Sequence, residues 1–213
     1  MYPPEVLARR YSLPLKPDPV TLTSTRGDVV VEPLDLDRDI EALHAVSNGT
    51  PFAGRPSYDA NERIWRYMSG GPFAEASGLR AWLQAQDAAP DGRPFVVRTH
   101  GRAVGVVNLI ANTPAHLKIE LGSIWYGPIA QRTGVSREVT DLLLQHVFAL
   151  GYLRAEWKCD AKNEPSRRAA LAYGFQFEGI QDAHYIIKGR RRDTAWYRWL
   201  AHEWAGRAGS PTM

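Results

Sequence analysis

The chain reads Gln131-Arg132-Thr133-Gly134-Val135-Ser136-Arg137 between an apolar strand pattern and an amphipathic helix pattern. Apolar residues recur at helical spacing after this turn, and Gly151 is the stop signal of the helix. A glycine-bearing turn that leads into a helix points several unpaired backbone N–H groups at one place, and the helix dipole adds roughly half a positive charge there. The stretch 131–137 therefore predicts a phosphate-binding turn between a strand and a helix.

The glycine in this turn also has a purely conformational explanation, because many strand-to-helix turns need a residue with few steric restrictions. A nucleotide-triphosphate loop would carry a lysine after its glycine, and Val135 occupies that place. The turn alone therefore argues against that loop type and leaves open whether it binds a ligand.

The order of motifs further along the chain is more specific. A strand pattern at residues 154–159, then Asn163, then the pair Gly174-Phe175 follow the turn. In this order they resemble the acyl-CoA binding core of the GNAT N-acetyltransferases. Residues 156–168, which read Glu-Trp-Lys-Cys-Asp-Ala-Lys-Asn-Glu-Pro-Ser-Arg-Arg, resemble the RimJ/RimL branch, whose members acetylate protein N-termini and other amines. The resemblance extends over residues 28–200, nearly the whole chain.

The length of the chain favours one domain. A chain of 213 residues with 44% hydrophobic content can form one full-sized core, whereas two halves would each be marginal. We therefore expect a single GNAT acetyltransferase domain over residues 21–204. Residues 1–20 hold five prolines without a sustained period, which predicts an extended N-terminal arm that is disordered or wraps a neighbour. Residues 205–213 are expected to form a flexible C-terminal tail.

Composition also limits the cofactors and the compartment. The single cysteine, Cys159, excludes an internal disulfide framework, and no Cys and His residues have zinc-ligand spacing, so no metal is expected. This pattern favours a reducing cytoplasm. The chain has no apolar run of 18 residues and its N-terminus lacks a signal-peptide pattern, which predicts a soluble protein without a membrane partner. A net charge of +3 is too mild to imply a nucleic-acid partner.

The hydrophobic periodicity predicts a mixed α/β fold. Strands are predicted at residues 28–34, 94–98, 103–110, 117–126, 154–159, 177–187 and 194–200, and helices at residues 37–46, 61–68, 77–88, 135–150 and 165–173. Hairpins come first and a strand-helix-strand crossover follows, so we expect a central mixed, mostly antiparallel twisted sheet with helices on both faces, the GNAT fold. Strict alternation along strand 117–126 places Glu120 on the same face as Tyr126.

The resemblance to GNAT enzymes implies where acetyl-CoA binds. Its pantetheine arm would add to the edge of a strand at Ile124, Trp125 and Tyr126. Its pyrophosphate would take the N–H groups of Arg132, Thr133, Gly134, Val135, Ser136 and Arg137, and Gln131 belongs to the same cofactor-binding turn. The 3′-phosphate would meet Arg167 and Arg168, whose planar guanidinium groups suit phosphate. Asn163 either bonds the pantetheine amide or caps the next helix, and Ser136 departs from the Gly or Ala usual in the family.

The candidate catalytic residues are Glu120, Ser166 and His184. The branch carries a carboxylate at the place of Glu120, which we expect to be the base; the alternative is a structural ion pair with Lys118 or an arginine. Many GNAT enzymes have a tyrosine as general acid at the position where this chain has Ala170. The hydroxyl of Ser166 would therefore protonate the thiolate; the alternative is that Ser166 only caps the helix. His184 would accept a proton through water, or it is a structural histidine.

The function implied is N-acetyl transfer from acetyl-CoA directly to a primary amine in a ternary complex, with a peptide or small-molecule amine as acceptor. A homodimer is possible. Ala170 and Ser136 motivate an alternative, a CoA-binding module whose catalytic activity has been lost. A third alternative is a nucleic-acid surface built on Arg190-Arg191-Arg192, but these arginines do not interleave with aromatic residues as such a surface requires.

Overall fold

The computed structural model of the chain describes residues 1–206. Residues 207–213, most of the predicted C-terminal tail, lie outside the described residues. Within the described part, no helix is long and apolar enough to cross a membrane, and no group of three His, Cys, Asp or Glu side chains could hold a metal ion.

The centre of the fold is an eight-stranded sheet with the strand order β1-β2-β3-β4-β5-β6-β8-β7. Every neighbouring pair is antiparallel except β5 and β6, which run parallel. The strands are β1 Leu22–Thr23, β2 Val29–Pro33, β3 Arg93–Thr99, β4 Arg102–Thr113, β5 Lys118–Tyr126, β6 Arg154–Asp160, β7 Gln176–Ile187 and β8 Arg190–Leu200. The predicted mixed, mostly antiparallel sheet is confirmed.

The helices connect these strands. They are α1 Pro4–Ser12, α2 Leu36–Ser47, a π-helix at Asn61–Trp65, α3 Ala76–Asp87, a 3₁₀ turn at Pro114–His116, α4 Val135–Ala149, α5 Glu164–Ala172 and α6 Ala201–Ala205. Asp35 caps α2 by accepting from two backbone N–H groups of its first turn. Strand β1 and helix α6 were not predicted, because two and five residues carry too little periodicity to recognise.

Each face of the sheet has its own hydrophobic core. On the first face, α4 packs Val139, Leu143 and Val147 against Ile119 and Leu121 of β5. On the second face, α2 and α3 pack against β3, β4 and the end of β5, with Leu43, Leu79, Val96, Val106 and Trp125 fully or almost fully buried. The predicted placement of helices on both faces of the sheet is therefore confirmed.

The N-terminal segment differs from the extended arm that the prolines predicted. Pro4–Ser12 is a helix, because Pro3 is its N-cap, Pro4 lies in its first turn, where a missing N–H costs nothing, and the next proline is Pro14. Beyond the helix, the amide nitrogen of Asn112 donates to the carbonyl oxygens of Pro14 and Leu15 at 3.0 and 2.9 Å. These bonds hold the segment against its own domain.

A bulge in β5 corrects the predicted faces of that strand. Gly122 pairs with Asn108 and Trp125 pairs with Val106, so β5 contains one more residue than β4 over this interval. Ser123, with φ of +48°, lies within the bulge. Glu120 therefore shares its face with Trp125, whereas Tyr126 lies on the opposite face, and the expectation that Glu120 points with Tyr126 was wrong.

Asp39 ties α2 to the sheet through a buried charge network. Its side chain is 1% exposed and accepts from the guanidinium of Arg38 at 2.8 Å and from Arg98 of β3. Arg98 also bonds Glu32 of β2 at 2.7 Å. Burial alone would raise the pKa of Asp39, but the hydrogen bond from Arg38, the backbone N–H of Asp35 and the charge of Arg98 together lower it.

We expect Asp39→Asn to reduce the free energy of unfolding by about 3 kcal/mol, because removing one partner of a buried ion pair leaves arginine charge uncompensated. Asp37→Asn is the matched control. Asp37 pairs with Arg80 but its side chain is 93% exposed, so its loss should cost under about 1 kcal/mol. Urea denaturation measures both values, and equal small losses for the two variants would contradict the role given to Asp39.

Candidate active site

The parallel strands β5 and β6 separate in the middle of the sheet. Their pairing covers Lys118 to Glu120 on β5 and Arg154 to Glu156 on β6. β5 continues to Tyr126 and β6 to Asp160, and within residues 1–206 no strand fills the gap between them. The edge of β5 beyond Glu120 is therefore open on the side of β6, as strand addition of a pantetheine arm requires.

The side chains of the residues predicted on this edge pack into the two cores. The ring of Trp125 is 3% exposed and packs 5.1 Å from the ring of Trp65. Tyr126 is buried in the opposite core, where burial raises the pKa of its hydroxyl, and Ile124 packs against the same core. Because these side chains are occupied by packing, backbone groups remain for contact with a ligand.

The predicted phosphate-binding turn joins the end of β5 to α4. Gly134 is the N-cap of α4 with φ of +92°, and no side chain caps the helix. The carbonyl of Gly134 accepts from the N–H groups of Arg137 and Glu138. The N–H groups of Val135 and Ser136 have no acceptor in the described part of the chain. The turn thus presents open donors at the positive end of a 15-residue helix, and we call residues 131–137 the amide cradle.

Several side chains of the amide cradle maintain its shape. Gln131 donates to the carbonyl oxygens of Tyr126 at 2.9 Å and Arg63 at 3.1 Å, which links the cradle to the π-helix. Thr133 donates to the carbonyl of Ala130 at 2.7 Å. The guanidinium of Arg137 bonds the carbonyl of Ala172 at 2.6 Å. Arg132, with φ of +62°, remains exposed to solvent.

The predicted residues of α5 lie on the other side of the gap. The side-chain oxygen of Asn163 accepts from the N–H of Ser166 at 3.2 Å, so Asn163 is the N-cap of α5, and its amide NH₂ remains available to a ligand. The hydroxyl of Ser166 accepts from Trp157 at 3.0 Å. Arg167 bonds Tyr197, the Ala161 carbonyl and Glu164, whereas Arg168 is exposed.

Glu120 lies where β5 and β6 begin to separate. It is 7% exposed, and its carboxylate contacts the ammonium of Lys158 on β6 at 2.9 Å. Burial raises the pKa of Glu120, and the charge of Lys158 opposes this effect without cancelling it. The structural alternative named Lys118 or an arginine as the partner of Glu120, but Lys118 instead faces Glu156 at 3.8 Å.

His184 of β7 belongs to the same charged cluster. Its ring lies 5.7 Å from that of Trp196, and the ammonium of Lys158 lies 4.0 Å from the centre of the Trp196 ring. Burial lowers the pKa of His184, and the charges of Arg192 and Lys158 lower it further, so the imidazole is neutral at neutral pH. The structure therefore brings Glu120 and His184 to one face of the sheet.

Ser166 lies on the other face. Its partner Trp157 and the buried thiol of Cys159 alternate along β6 with Glu156 and Lys158, and strand alternation points them away from the charged cluster. Burial raises the pKa of Cys159, which keeps its thiol protonated and inert at neutral pH. Of the three candidate catalytic residues, Ser166 is thus separated from the other two by the sheet.

Lys158 was not among the catalytic or cofactor-binding residues predicted from the sequence. The signal was present, because Arg154, Glu156, Lys158 and Asp160 alternate with apolar residues along β6. Glu156 is 4% exposed and also contacts the ammonium of Lys158 at 2.9 Å. Arg192, considered in the sequence only for a nucleic-acid surface, lies on β8 close enough to affect the pKa of Glu120 and His184.

Comparison with known proteins identifies the family of the chain. Residues 29–176 match the model of the acetyltransferase (GNAT) domain family. No curated protein sequence matches the chain. A solved GCN5-related N-acetyltransferase from Brucella melitensis has 35% sequence identity and a TM-score of 0.80, over 89% of this chain and 82% of its own. A GNAT family structure from Chromobacterium violaceum ATCC 12472 has 32% identity and a TM-score of 0.79, over 89% and 90% of the two chains.

A more distant structure shares the fold. The acetyltransferase from Salmonella typhimurium that modifies the N-terminal serine of ribosomal protein L7/L12 has 17% identity and a TM-score of 0.67, over 81% of this chain and 95% of its own. The matched family region contains the gap between β5 and β6, the amide cradle and Glu120. The chain belongs to the GNAT family and is an acyl-CoA-dependent N-acetyltransferase.

Proposed function

We propose that this protein transfers the acetyl group of acetyl-CoA directly to a primary amine in a ternary complex, as a RimJ/RimL-like enzyme with a protein N-terminal α-amine as acceptor. The observation that carries the proposal is the open edge of β5 beside the amide cradle, with Glu120 at the point where the strands separate. The single buried cysteine suits a reducing cytoplasm.

The donor site is proposed to use backbone groups on both sides of the gap. The open N–H groups of Val135 and Ser136 would bind the pyrophosphate, and the main chain of Ile124 to Tyr126 would hold the pantetheine arm. The thioester supplies an activated acetyl group. Holding donor and acceptor in line can contribute on the order of 7–11 kcal/mol to lowering the barrier, so the side chains need contribute only a little more.

Glu120 is proposed to be the general base. Its carboxylate takes one proton from the incoming ammonium, and the neutral amine then forms the new C–N bond while the C–S bond of the thioester breaks. The second proton that the nitrogen loses on becoming an amide goes to solvent, and it balances the proton that the thiolate gains. The raised pKa of Glu120 makes it a stronger base than an ordinary carboxylate. His184, neutral and on the same face, would pass this proton to solvent through water.

Protonation of the thiolate is proposed for Ser166. Its hydroxyl accepts from Trp157, and its own hydrogen, which can meet the thiol of Cys159, would turn to the departing sulfur when the donor is bound. The lost hydrogen would be replaced from solvent. Ser166 lies at the start of α5 on the far side of the gap, opposite to Glu120, which keeps the proton-accepting and proton-donating groups apart.

The choice of an α-amine follows from the limited strength of this base. An α-amine with a pKa of about 8 is ~10% neutral at pH 7, whereas a lysine is neutral less than ~0.1% of the time. The carboxylate of Glu120 is already paired with Lys158, which limits its strength as a base, so it suits an α-amine, which is deprotonated more easily than a lysine. The distant relative that acetylates an N-terminal serine supports the same class of acceptor.

Glu120→Gln should lower kcat about 100-fold or more while leaving the Kd for CoA unchanged, because it removes the base and keeps the shape of the side chain. Free-thiol release measures turnover and calorimetry measures binding. Glu41→Gln, on the exposed side of α2, is the control and should behave as the wild type. Unchanged turnover in Glu120→Gln would remove the base role.

The amide cradle can be tested with two isosteric variants of Gly134. Asn and Asp both tolerate the positive φ of this position, and no atom within 4 Å would meet the added Cβ. Gly134→Asp should weaken CoA binding at least about tenfold more than Gly134→Asn, since only Asp adds a negative charge beside the pyrophosphate. Equal CoA affinities of the two variants would place the pyrophosphate elsewhere.

The acceptor class can be tested with two matched peptides. One has a free N-terminal serine and no lysine; the other has an acetylated N-terminus and one internal lysine. We expect mass spectrometry to show acetyl transfer from acetyl-CoA to the first peptide only at pH 7. Transfer to the lysine peptide, or transfer to small-molecule amines alone, would contradict the α-amine proposal.

A further inference from the structure

Lys158 lies between two buried carboxylates. Its ammonium is 2.9 Å from the carboxylate of Glu120 and 2.9 Å from that of Glu156. Below it, the indole ring of Trp196 has its centre 4.0 Å from the same nitrogen. The side chain of Lys158 is 12% exposed, and three of its neighbours therefore hold the ammonium in one position.

The two carboxylates do not depend equally on Lys158. Glu156 has two further cations, Arg154 at 2.8 Å and Lys118 at 3.8 Å. Glu120 has its direct ion contact with Lys158, and no second cation lies within 4 Å of its carboxylate in the described part of the chain. If Lys158 were removed, Glu156 would still be paired with Arg154 and Lys118, whereas Glu120 would be a buried carboxylate without a cation in contact.

We propose that Lys158 is a positioning residue that keeps the Glu120 carboxylate charged and fixed at the gap, and that Glu156 competes for the same ammonium and so limits this effect. The inference deepens the proposed function, since it explains how the base is kept ready. A buried carboxylate without a counter-ion would bind a proton and lose its capacity as a base.

The charge balance of the cluster fits this role. Glu120 accepts one proton from the acceptor and becomes neutral, and the ammonium of Lys158 is then compensated by Glu156 alone. Two carboxylates raise the pKa of Lys158 even though burial alone would lower it, so the lysine keeps its proton throughout. Lys158 therefore acts through its charge and position and does not touch the reacting atoms.

The groups facing Glu120 come from several strands. Strand β6 contributes Lys158 and Glu156, and the guanidinium of Arg192 on β8 adds a weaker favourable charge. His184 of β7 is neutral beside Trp196. On the side of β4, Glu120 pairs with the uncharged Ile110, and the next pair on the same face, Asn108 and Gly122, is also uncharged. Among these groups, Lys158 gives the largest stabilisation of the charged form and Glu156 opposes it.

The direct test is a pH titration of the Glu120 carboxyl carbon by NMR in protein labelled with ¹³C-glutamate. The signal is assigned by its absence in Glu120→Gln. In Lys158→Met the titration midpoint should rise by about one pH unit or more, because an opposite charge at this distance is removed. In Lys158→Arg, which keeps the charge, it should remain near the wild type.

Glu156→Gln should move the midpoint in the opposite direction. In this variant the ammonium of Lys158 pairs with Glu120 alone, and the negative charge of Glu156 no longer repels that of Glu120. The titration midpoint of Glu120 should therefore fall below that of the wild type. Lys118→Met is the matched control, since Lys118 contacts Glu156 and not Glu120, and its midpoint should stay closer to the wild type than that of Lys158→Met. An unmoved midpoint in Lys158→Met, or shifts in the same direction for Lys158→Met and Glu156→Gln, would overturn the inference.

Kinetics separate this inference from the base assignment. With the serine peptide and acetyl-CoA, kcat/KM falls on the acidic side of its pH profile with an apparent pKa, which should equal the NMR midpoint of Glu120 in each variant. This apparent pKa should be raised in Lys158→Met and should return to the wild-type value in Lys158→Arg. The NMR signal needs no acceptor. An unmoved midpoint therefore contradicts the role of Lys158 even if Glu120→Gln is inactive, and an active Glu120→Gln contradicts the base assignment even if the midpoint moves.

Discussion

The separation of β5 from β6 after three paired residues is the constraint on which the site depends. A parallel pair that continued to Tyr126 would use the backbone groups of β5 in a ladder and leave no edge for a ligand. The bulge at Ser123 changes the direction of β5 just beyond the last pair, while β6 continues toward α5. The strand edge, the amide cradle and Glu120 consequently border one gap.

The alternation of β6 provides the second element of the site. One face of this strand carries Trp157 and Cys159 into the core beneath α4 and α5, and the other face carries Glu156 and Lys158 into the charged cluster. The apolar face holds the strand in the fold, and the charged face places the ammonium of Lys158 against the carboxylate of Glu120. A short strand of seven residues thus contributes both to the hydrophobic core and to the charged cluster.

The sequence predicted those parts of the fold that depend on local patterns. The hairpin of β3 and β4, helix α4 and the capping position of Asn163 all follow from periodicity or from residues within one turn. The mixed sheet followed from the order of these elements. The cradle was also visible, because its glycine, the preceding strand and the following helix are adjacent in the chain.

The remaining features depend on contacts between distant residues. The bulge of β5 made the prediction from strict alternation wrong, because the bulge arises from the pairing of β5 with β4 and not from the sequence of β5 alone. Lys158 meets Glu120 because of a register between two strands whose paired residues, such as Glu120 and Glu156, are 36 positions apart in the sequence. Gln131 likewise meets the carbonyl of Arg63 across 68 residues. The helix at Pro4–Ser12 was obscured by the prolines that flank it.

The most direct test of the account is an NMR titration of ¹⁵N-labelled protein with CoA. The account predicts that the largest changes of backbone amide signals fall on two segments, residues 122–126 of β5 and residues 132–137 of the cradle, with a common Kd. Saturable changes confined to other parts of the chain, or none in either segment at millimolar CoA, would contradict the claim that the gap between β5 and β6 is the donor site.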